Sequence, residues 1–204
     1  MDHDPLIALL SAVEEIEAAG GVQEEPTTIE VAVRVRADDE EERSSVVKCL
    51  DEHTIAVLDS EGAEKERRSY DVVFGGSITQ EQIFTAFGLS TVISTLRGFN
   101  SAIFAYGQTG SGKTFTMNGT AVDRGLIQNI CTSLFACAGR LNRRTVEFTL
   151  SYYEIYNERV RDLLNPQFLP FEDDDEEDAL QQRKSLPVRE HKKLGVRLRP
   201  TQLL

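Results

Sequence analysis

The feature that most constrains this chain is a glycine-rich octapeptide with the sequence GQTGSGKT. Its residues are Gly107, Gln108, Thr109, Gly110, Ser111, Gly112, Lys113 and Thr114. They fit the pattern G-x-x-x-x-G-K-[ST], in which glycines let the backbone wrap closely around a phosphate. An apolar run at residues 102–106 is typical of a buried parallel strand, and residues 113–118 can begin a helix. The pattern therefore predicts a phosphate-binding loop between a strand and a helix.

Such a loop indicates the binding of a nucleoside triphosphate together with a divalent metal ion. Successive backbone N–H groups and the N-terminus of the following helix point at the negative charge. Lys113 is placed to reach the β- and γ-phosphates, and the Thr114 hydroxyl is placed to coordinate Mg²⁺. The alternative is a glycine-rich turn in which the lysine has no special role. The flanking strand and helix patterns disfavour that alternative.

The composition agrees with one folded domain and disfavours several classes of protein. The chain has 204 residues, of which 40% are hydrophobic and 27% are charged. Its three cysteines form no C-x-x-C pair, which indicates reduced thiols and not a disulfide framework or a zinc site. No stretch is long and apolar enough for a membrane span, and the N-terminus lacks the basic region of a signal peptide.

The formal net charge of −12 is unevenly distributed along the chain. Residues 172–178 (EDDDEED) are all acidic, whereas residues 183–199 carry seven Lys or Arg against one Glu. The acidic run lies within residues 167–184, which we expect to be a disordered insert. We expect no nucleic-acid partner for this acidic chain. Local charged patches matter more for binding than the net charge, because salt screens charge over about 8 Å.

The hydrophobic pattern alternates strands with helices, which predicts an α/β fold with a mainly parallel sheet and helices on both faces. The predicted strands cover residues 29–36, 46–50, 54–58, 70–74, 102–106 and 144–156, with two more within 185–200. The predicted helices cover residues 6–16, 79–96, 113–118, 125–138 and 157–164. Residues 1–28 are interpreted as an amphipathic helix with a linker, and residues 29–204 as the main domain.

Two local interpretations concern single side chains. Residues 55–59 (IAVLD) imitate the strand that supplies a metal-binding aspartate in P-loop proteins, but a hairpin turning at residues 51–53 also accounts for them. Cys131 and Cys137 are predicted to be small core residues of the helix at 125–138.

Several segments, in the expected order, resemble the kinesin motor domain. The loop with its flanks, AYGQTGSGKTFTM, resembles the family pattern A-Y-G-Q-T-G-x-G-K-[TS]-x-T-M. The other matching segments are residues 29–36 (IEVAVRVR), 70–84 (YDVVFGGSITQEQIF), 98–104 (GFNSAIF), 124–127 (RGLI) and 151–164 (SYYEIYNERVRDLL). The resemblance covers about residues 29–200, and it implies a P-loop NTPase-type fold.

The resemblance also implies that the site binds ATP with Mg²⁺. Arg34 aligns with the arginine of the family's R-x-R-P motif, which lies beside the adenine, and Phe115 aligns with a residue that borders the base. A guanidinium group and an aromatic ring can each cover a purine face. The alternatives are a solvent-facing strand residue for Arg34 and core packing for Phe115. Ala37 stands where the family has proline, which puts one wall of the adenine site in doubt.

As a kinesin-like chain, the protein is expected to be the ATP-binding part of a microtubule motor whose full-length parent hydrolyses ATP. The expected location is the cytoplasm, on the microtubule cytoskeleton. Arg189, Lys192 and Lys193 fall in a segment that resembles the strand–loop–strand by which kinesins touch the microtubule, or else form a solvated turn. Self-association and cargo binding would depend on segments outside this chain.

The 204 residues contain neither of the family's switch motifs, N-x-x-S-S-R-S-H and D-L-A-G-S-E. A P-loop without them is expected to bind nucleotide and to hydrolyse it poorly, and no residue is assigned as catalytic. The resemblance thus predicts a truncated motor core that is marginally stable alone. The alternative is a truncated, non-motile relative that acts as a nucleotide-dependent binding or interaction module.

Overall fold

A computed structural model describes residues 9–15, 29–36, 46–140, 146–164, 186, 188–191 and 195–198. The chain divides into two compact units, Met1–Thr145 and Val146–Leu204. Both helices and strands are present, as expected for the α/β class. Among the described helices, none combines the length and apolarity that crossing a membrane requires.

The first unit contains a parallel pair of strands, β1 (Ala32–Arg34) and β5 (Val72–Phe74). Their register places Ala32 opposite Val72 and Arg34 opposite Phe74. The Asp71 carboxylate accepts a hydrogen bond from the Val31 N–H at 2.8 Å, just before the paired residues. The strand predicted at residues 29–36 is therefore present over a shorter length, and it carries Arg34 at its C-terminal end.

The predicted hairpin is confirmed, and a third strand extends it. The antiparallel sheet consists of β2 (Val47–Cys49), β3 (Thr54–Leu58) and β4 (Glu64–Ser69). Asp59 lies in the turn after β3, where its carboxylate accepts hydrogen bonds from two backbone N–H groups, those of Glu61 and Ala63. The aspartate thus stabilises a turn, and the hairpin interpretation of residues 55–59 is the correct one.

The helix predicted at residues 79–96 is confirmed and contains one wider turn. It consists of α2 (Gln80–Ile83), a π-helical turn (Phe84–Gly88) and α3 (Leu89–Leu96). A capping box fixes its start, because the Thr79 hydroxyl accepts from the Gln82 N–H and the Gln82 side chain accepts from the Thr79 N–H. A Cβ atom at Gly88 would lie 2.8 Å from Phe84 and 3.0 Å from Leu126, so glycine permits close packing there.

Two further helices follow, α4 (Lys113–Asn118) and α5 (Leu126–Ala138), within a residue of their predicted bounds. The strand predicted at residues 102–106 is wrong in this structure, which describes these residues and places them in no strand. Phe104 is 89% exposed and Tyr106 is fully exposed, so this apolar run lacks the neighbouring strands that would bury it.

The core of the first unit joins β5, the helices at 80–96 and α5. Its buried side chains are Leu9, Val13, Phe74, Ile83, Phe84, Val92, Leu126 and Cys137. Residues 9–15 are helical (α1), so the predicted N-terminal helix contributes to this core. Burial raises the pKa of the Cys137 thiol, as expected for a core cysteine. Cys131 was predicted beside it in the core, but it is exposed because its position faces away from the cluster.

The second unit contains two hairpins. The first pairs β6 (Tyr153–Tyr156) with β7 (Arg159–Asp162), so the helix predicted at residues 157–164 is wrong. Asn157 and Glu158 adopt φ values of 47° and 61°, which turn the chain tightly between two strands and prevent a right-handed helix from starting. Of the strand predicted at residues 144–156, the structure contains Tyr153–Tyr156, whereas the described residues 146–152 are not in a strand.

The second hairpin pairs β8 (Val188–His191) with β9 (Gly195–Leu198), which confirms the two short strands predicted within residues 185–200. The predicted disordered insert at residues 167–184 lies outside the described residues. Of the four sheets in the described ranges, β1 with β5 is parallel and the other three are antiparallel.

Candidate nucleotide-binding site

The predicted loop has a backbone that depends on its glycines. Gly107, Gly110 and Gly112 adopt φ values of 153°, 80° and 96°, in the region that side-chain-bearing residues rarely occupy. A Cβ atom at Gly107 would lie 2.5 Å from the Ser111 hydroxyl oxygen. The Ser111 N–H donates to the Gln108 carbonyl at 3.2 Å, which closes the loop. The octapeptide thus forms a compact loop whose shape follows directly from its sequence.

Helix α4 begins at Lys113, the position that the sequence predicts. Its first hydrogen bond runs from the Thr116 N–H to the Gly112 carbonyl at 2.9 Å. Because the helix is short, an anion would be bound mainly by the loop that precedes it, where backbone N–H groups and a lysine come together. Thr114 is exposed in the first turn of α4, the position from which its hydroxyl would coordinate a metal ion bound to phosphate.

The Lys113 side chain turns back across the loop. Its Nζ atom donates hydrogen bonds to the carbonyl oxygens of Gly107 and Gln108, both at 2.8 Å. These neutral acceptors hold the ammonium group at the loop without neutralising its charge. The cation is therefore available to an anionic ligand that displaces one or both carbonyl bonds. This donor set fits a phosphate group.

A second cation, Arg34, contacts two side chains of α4. Its guanidinium carbon is 4.9 Å from the centroid of the Phe115 ring, within the range of a cation–π contact. Its Nη1 atom donates to the Thr116 hydroxyl at 2.9 Å and to the Gln80 side-chain oxygen at 2.8 Å. The structure thus brings together Arg34 and Phe115, the two residues that the family resemblance places beside a base.

The electrostatic setting of Arg34 is mixed. Partial burial lowers the pKa of the guanidinium, while the nearby Asp123 carboxylate raises it. Asp123 belongs to a short loop that a bridge between Gly119 and Arg124 closes. Because an arginine stays protonated far above neutral pH, Arg34 is a cation throughout the range in which proteins fold.

Gln80 and Thr116 were not among the predicted site residues, and neither was Arg36. Arg36 donates from Nη1 to the Gly110 carbonyl at 3.1 Å, so the segment that follows β1 contacts the loop directly. The sequence did contain a signal for Gln80. Its helix neighbours at i+3 and i+4 are Ile83 and Phe84, which face the core. A polar side chain on the same face requires hydrogen-bond partners.

The remaining predicted residues are Gln108, Thr109 and Ser111, which are exposed on the loop. In the part of the chain that the structure describes, no group of three His, Cys, Asp or Glu side chains could hold a metal ion. The metal ligand that the sequence predicts at this site is the Thr114 hydroxyl. Ala37 and the side chains of Arg189, Lys192 and Lys193 lie outside the described residues.

Comparisons with known proteins agree with the sequence resemblance. The sequence-family model of the kinesin motor domain matches residues 32–202 of this chain. The kinesin heavy chain of Botryotinia fuckeliana is 40% identical over 167 residues, which cover 79% of this chain and 17% of that protein. Kinesin-like protein unc-104 of Caenorhabditis elegans is 36% identical over 156 residues, 69% of this chain and 10% of that protein.

A solved structure of a fast kinesin, described with its ATPase mechanism and its interactions with microtubules, matches with a TM-score of 0.66. It is 35% identical and covers 84% of this chain and 46% of its own. The chain therefore spans less than a fifth of these two curated relatives and about half of the solved kinesin chain.

Proposed function

Because the chain belongs to the kinesin motor-domain family, we propose that it binds ATP with Mg²⁺ at residues 107–114 and forms the nucleotide-binding part of a microtubule motor. The observation that carries this proposal is a pair of cations, one at the loop and one on the helix that follows it. Lys113 contacts the loop carbonyls, and Arg34 lies over the ring of Phe115 in α4. Triphosphate and base are the two parts of a nucleotide that such a pair would recognise.

The proposed site has two ends. The phosphate end consists of residues 107–114, with Lys113 as the cation, Thr114 as the metal ligand and the loop N–H groups as further donors. The base end consists of Arg34, Gln80, Phe115 and Thr116. Bound Mg²⁺ would neutralise part of the phosphate charge, which raises the affinity of a site that supplies few cations of its own.

The fold supports the proposal in outline. We propose that β1 and β5, which pair in parallel, belong to a larger, mainly parallel sheet with helices on both faces. The same proposal treats residues 1–28 as an N-terminal extension of a motor domain that begins at residue 29.

Movement along microtubules, ATP hydrolysis and a location on the cytoplasmic microtubule cytoskeleton are proposed for the whole motor. The switch motifs that respond to the γ-phosphate in kinesins do not occur in these 204 residues. We therefore expect this chain to bind nucleotide and to hydrolyse it slowly. Basic residues 189, 192 and 193 are the proposed contacts with the acidic microtubule surface.

The second candidate function is a non-motile binding module whose N-terminal helix contacts a partner. The structure argues against that role for the apolar face of α1, because Leu9, Ala12 and Val13 are buried. That face supports the core of the first unit and is not presented to another protein. Nucleotide-dependent binding by other surfaces remains the alternative that experiments must separate from motor function.

The test of the proposed function is the affinity of the 204-residue chain for a fluorescent ATP analogue in the presence of Mg²⁺. We expect saturable binding that unlabelled ATP displaces and that EDTA weakens. Absence of saturable binding by the folded chain would overturn the proposal. Co-sedimentation with microtubules, in ATP and without nucleotide, then distinguishes a motor fragment from a module that binds nucleotide alone.

A further inference from the structure

Gln80 is the most deeply buried polar side chain among the described residues, with 1% of its surface exposed. It occupies the first position of α2, directly after the capping residue Thr79. A buried carboxamide is costly unless both its oxygen and its nitrogen find partners. The capping box needs Thr79 and Gln82 but not Gln80, so helix formation does not explain its presence.

The two ends of the carboxamide have different partners. The oxygen accepts a hydrogen bond from Arg34 Nη1 at 2.8 Å, and the nitrogen donates to the backbone carbonyl of Phe115. The arginine can only donate and the carbonyl can only accept, so these partners define the orientation of the amide. A methionine of similar length would satisfy neither partner.

These contacts connect three elements at the base end. Gln80 on α2 joins the arginine of β1 to the backbone of α4, one residue after Thr114. The same Arg34 Nη1 atom donates to the Thr116 hydroxyl, and the guanidinium lies over the Phe115 ring. An arginine on a strand end has many accessible rotamers, and a buried acceptor selects one of them before any ligand arrives.

We propose that Gln80 is a positioning residue that holds the Arg34 guanidinium beside Phe115 and thereby gives the site its preference for a nucleotide over a base-less triphosphate. The inference rests on the proposed nucleotide-binding function. Gln80 acts through Arg34 and contacts no ligand itself. Its loss therefore weakens recognition of the base and leaves recognition of the phosphates unchanged.

The test compares two ligands of the 204-residue chain, ATP and inorganic tripolyphosphate, each with Mg²⁺. Both are measured by displacement of a fluorescent ATP analogue labelled on the ribose. The Kd for tripolyphosphate divided by the Kd for ATP reports how much the base adds to the affinity. We expect Gln80→Met to lower this ratio about tenfold, as for the loss of a hydrogen bond to a charged group, with the tripolyphosphate Kd unchanged. Gln80→Glu loses the donor to the Phe115 carbonyl but keeps an acceptor for Arg34 and makes that bond charge-assisted, so it should retain a ratio within about threefold of the original.

The matched control is Gln82→Met, which removes an exposed glutamine of the same helix together with its capping bond. It should destabilise the helix and leave the ratio unchanged. A purely structural role for Gln80 would weaken both ligands equally in Gln80→Met, and that result would overturn the proposal. So would an original chain that binds ATP and tripolyphosphate equally well, in which case phosphate binding at the loop would still stand.

Two other results also decide the question. If Gln80→Met does not fold, the test compares Gln80→Glu with Arg34→Met. Retention of the ATP preference in Gln80→Glu would support the role of the acceptor. A loss of that preference as complete as in Arg34→Met would overturn it. If the original chain binds neither ligand, the proposed function fails, and this inference fails with it.

Discussion

Lys113 and Arg34 contact different parts of the proposed site, and they are held in different ways. Lys113 makes its hydrogen bonds to two carbonyl groups of the exposed loop. Arg34 is held by side chains, of which Gln80 is buried and Phe115 provides a ring face. The proposed phosphate end is thus held by backbone carbonyls that a ligand would displace, whereas the proposed base end is held in advance by packed side chains.

The difference has a physical consequence for binding. Preorganised groups add affinity because they lose little conformational freedom on binding. A group that must first give up hydrogen bonds within the protein adds less, because the lost bonds offset part of the new interaction with the ligand. The phosphate end compensates through charge, since a lysine against phosphate forms a charge-assisted hydrogen bond. We therefore expect the phosphate end to supply most of the affinity and the base end to supply most of the selectivity.

The largest effect should follow removal of the lysine. Lys113→Ala is expected to weaken Mg²⁺–ATP binding about 100-fold or more, because it deletes the side-chain cation of the loop. The measurement is titration of the fluorescent ATP analogue. Lys65→Ala is the control, since it removes the same charge from the exposed strand β4. Affinities that differ by less than threefold between the two variants would show that the loop is not the phosphate site.

A backbone change at the phosphate end should come next. Gly112→Ala places a Cβ atom at φ 96°, which is expected to cost about 1–2 kcal/mol of unfolding free energy although no atom lies close enough to clash. The affinity for ATP should fall as well, because the loop relaxes away from its present shape. Urea denaturation and nucleotide titration measure the two effects.

Gly75→Ala is the matched control for that experiment. Its Cβ atom would also meet open space, and its φ does not lie in the left-handed region. We expect a change below about 0.5 kcal/mol at Gly75. Equal effects at the two glycines would show that the backbone of the loop is not specifically required.

Removal of the proposed metal ligand separates metal from phosphate at the same end. Thr114→Ala should reduce the gain in ATP affinity that Mg²⁺ provides by about tenfold, and leave the affinity in EDTA unchanged. Thr114→Ser retains the hydroxyl and should restore the gain. Titrations with and without Mg²⁺ measure it, and an equal loss under both conditions would contradict a role in metal binding.

The smallest effect is expected at the base end. Phe115→Leu removes the ring under Arg34 and should weaken ATP binding about threefold, as for an exposed cation–π contact, with tripolyphosphate unaffected. Phe135→Leu, at an exposed position of α5, serves as the control. If Phe115→Leu weakened both ligands equally, the proposed division between the two ends would be wrong.

The loop and its helix could be predicted because their geometry is local. Glycines at Gly107 and Gly112 and the helix start at Lys113 depend on the conformational limits of single residues. The strand β4 (EKERRS) was missed because all six of its residues are exposed and five of them are charged, so no alternation of apolar residues marks it. Its Arg67–Glu64 and Arg68–Glu66 ion pairs are visible only once the strand is formed.

The wrong helix at residues 157–164 and the missed site residue Gln80 both depend on contacts that the linear pattern does not show. The segment at residues 157–164 has apolar residues that suit a helix, but the turn at Asn157–Glu158 and pairing with β6 override that preference. Gln80 shows the same limit at the site, because its partners on β1 and α4 are distant in sequence. A family resemblance identifies the aligned residues, whereas the contacts that position them can be seen only in the folded structure.

The most direct test is an experimental structure of the chain with Mg²⁺ and a non-hydrolysable ATP analogue. We predict that Lys113 Nζ leaves the carbonyls of Gly107 and Gln108 for the phosphates, while Arg34 keeps its bonds to Gln80 and Thr116 beside the base. An analogue bound elsewhere would contradict the assignment of the site. An Arg34 that swings away from Gln80 on binding, with Lys113 unmoved, would contradict the difference between its two ends.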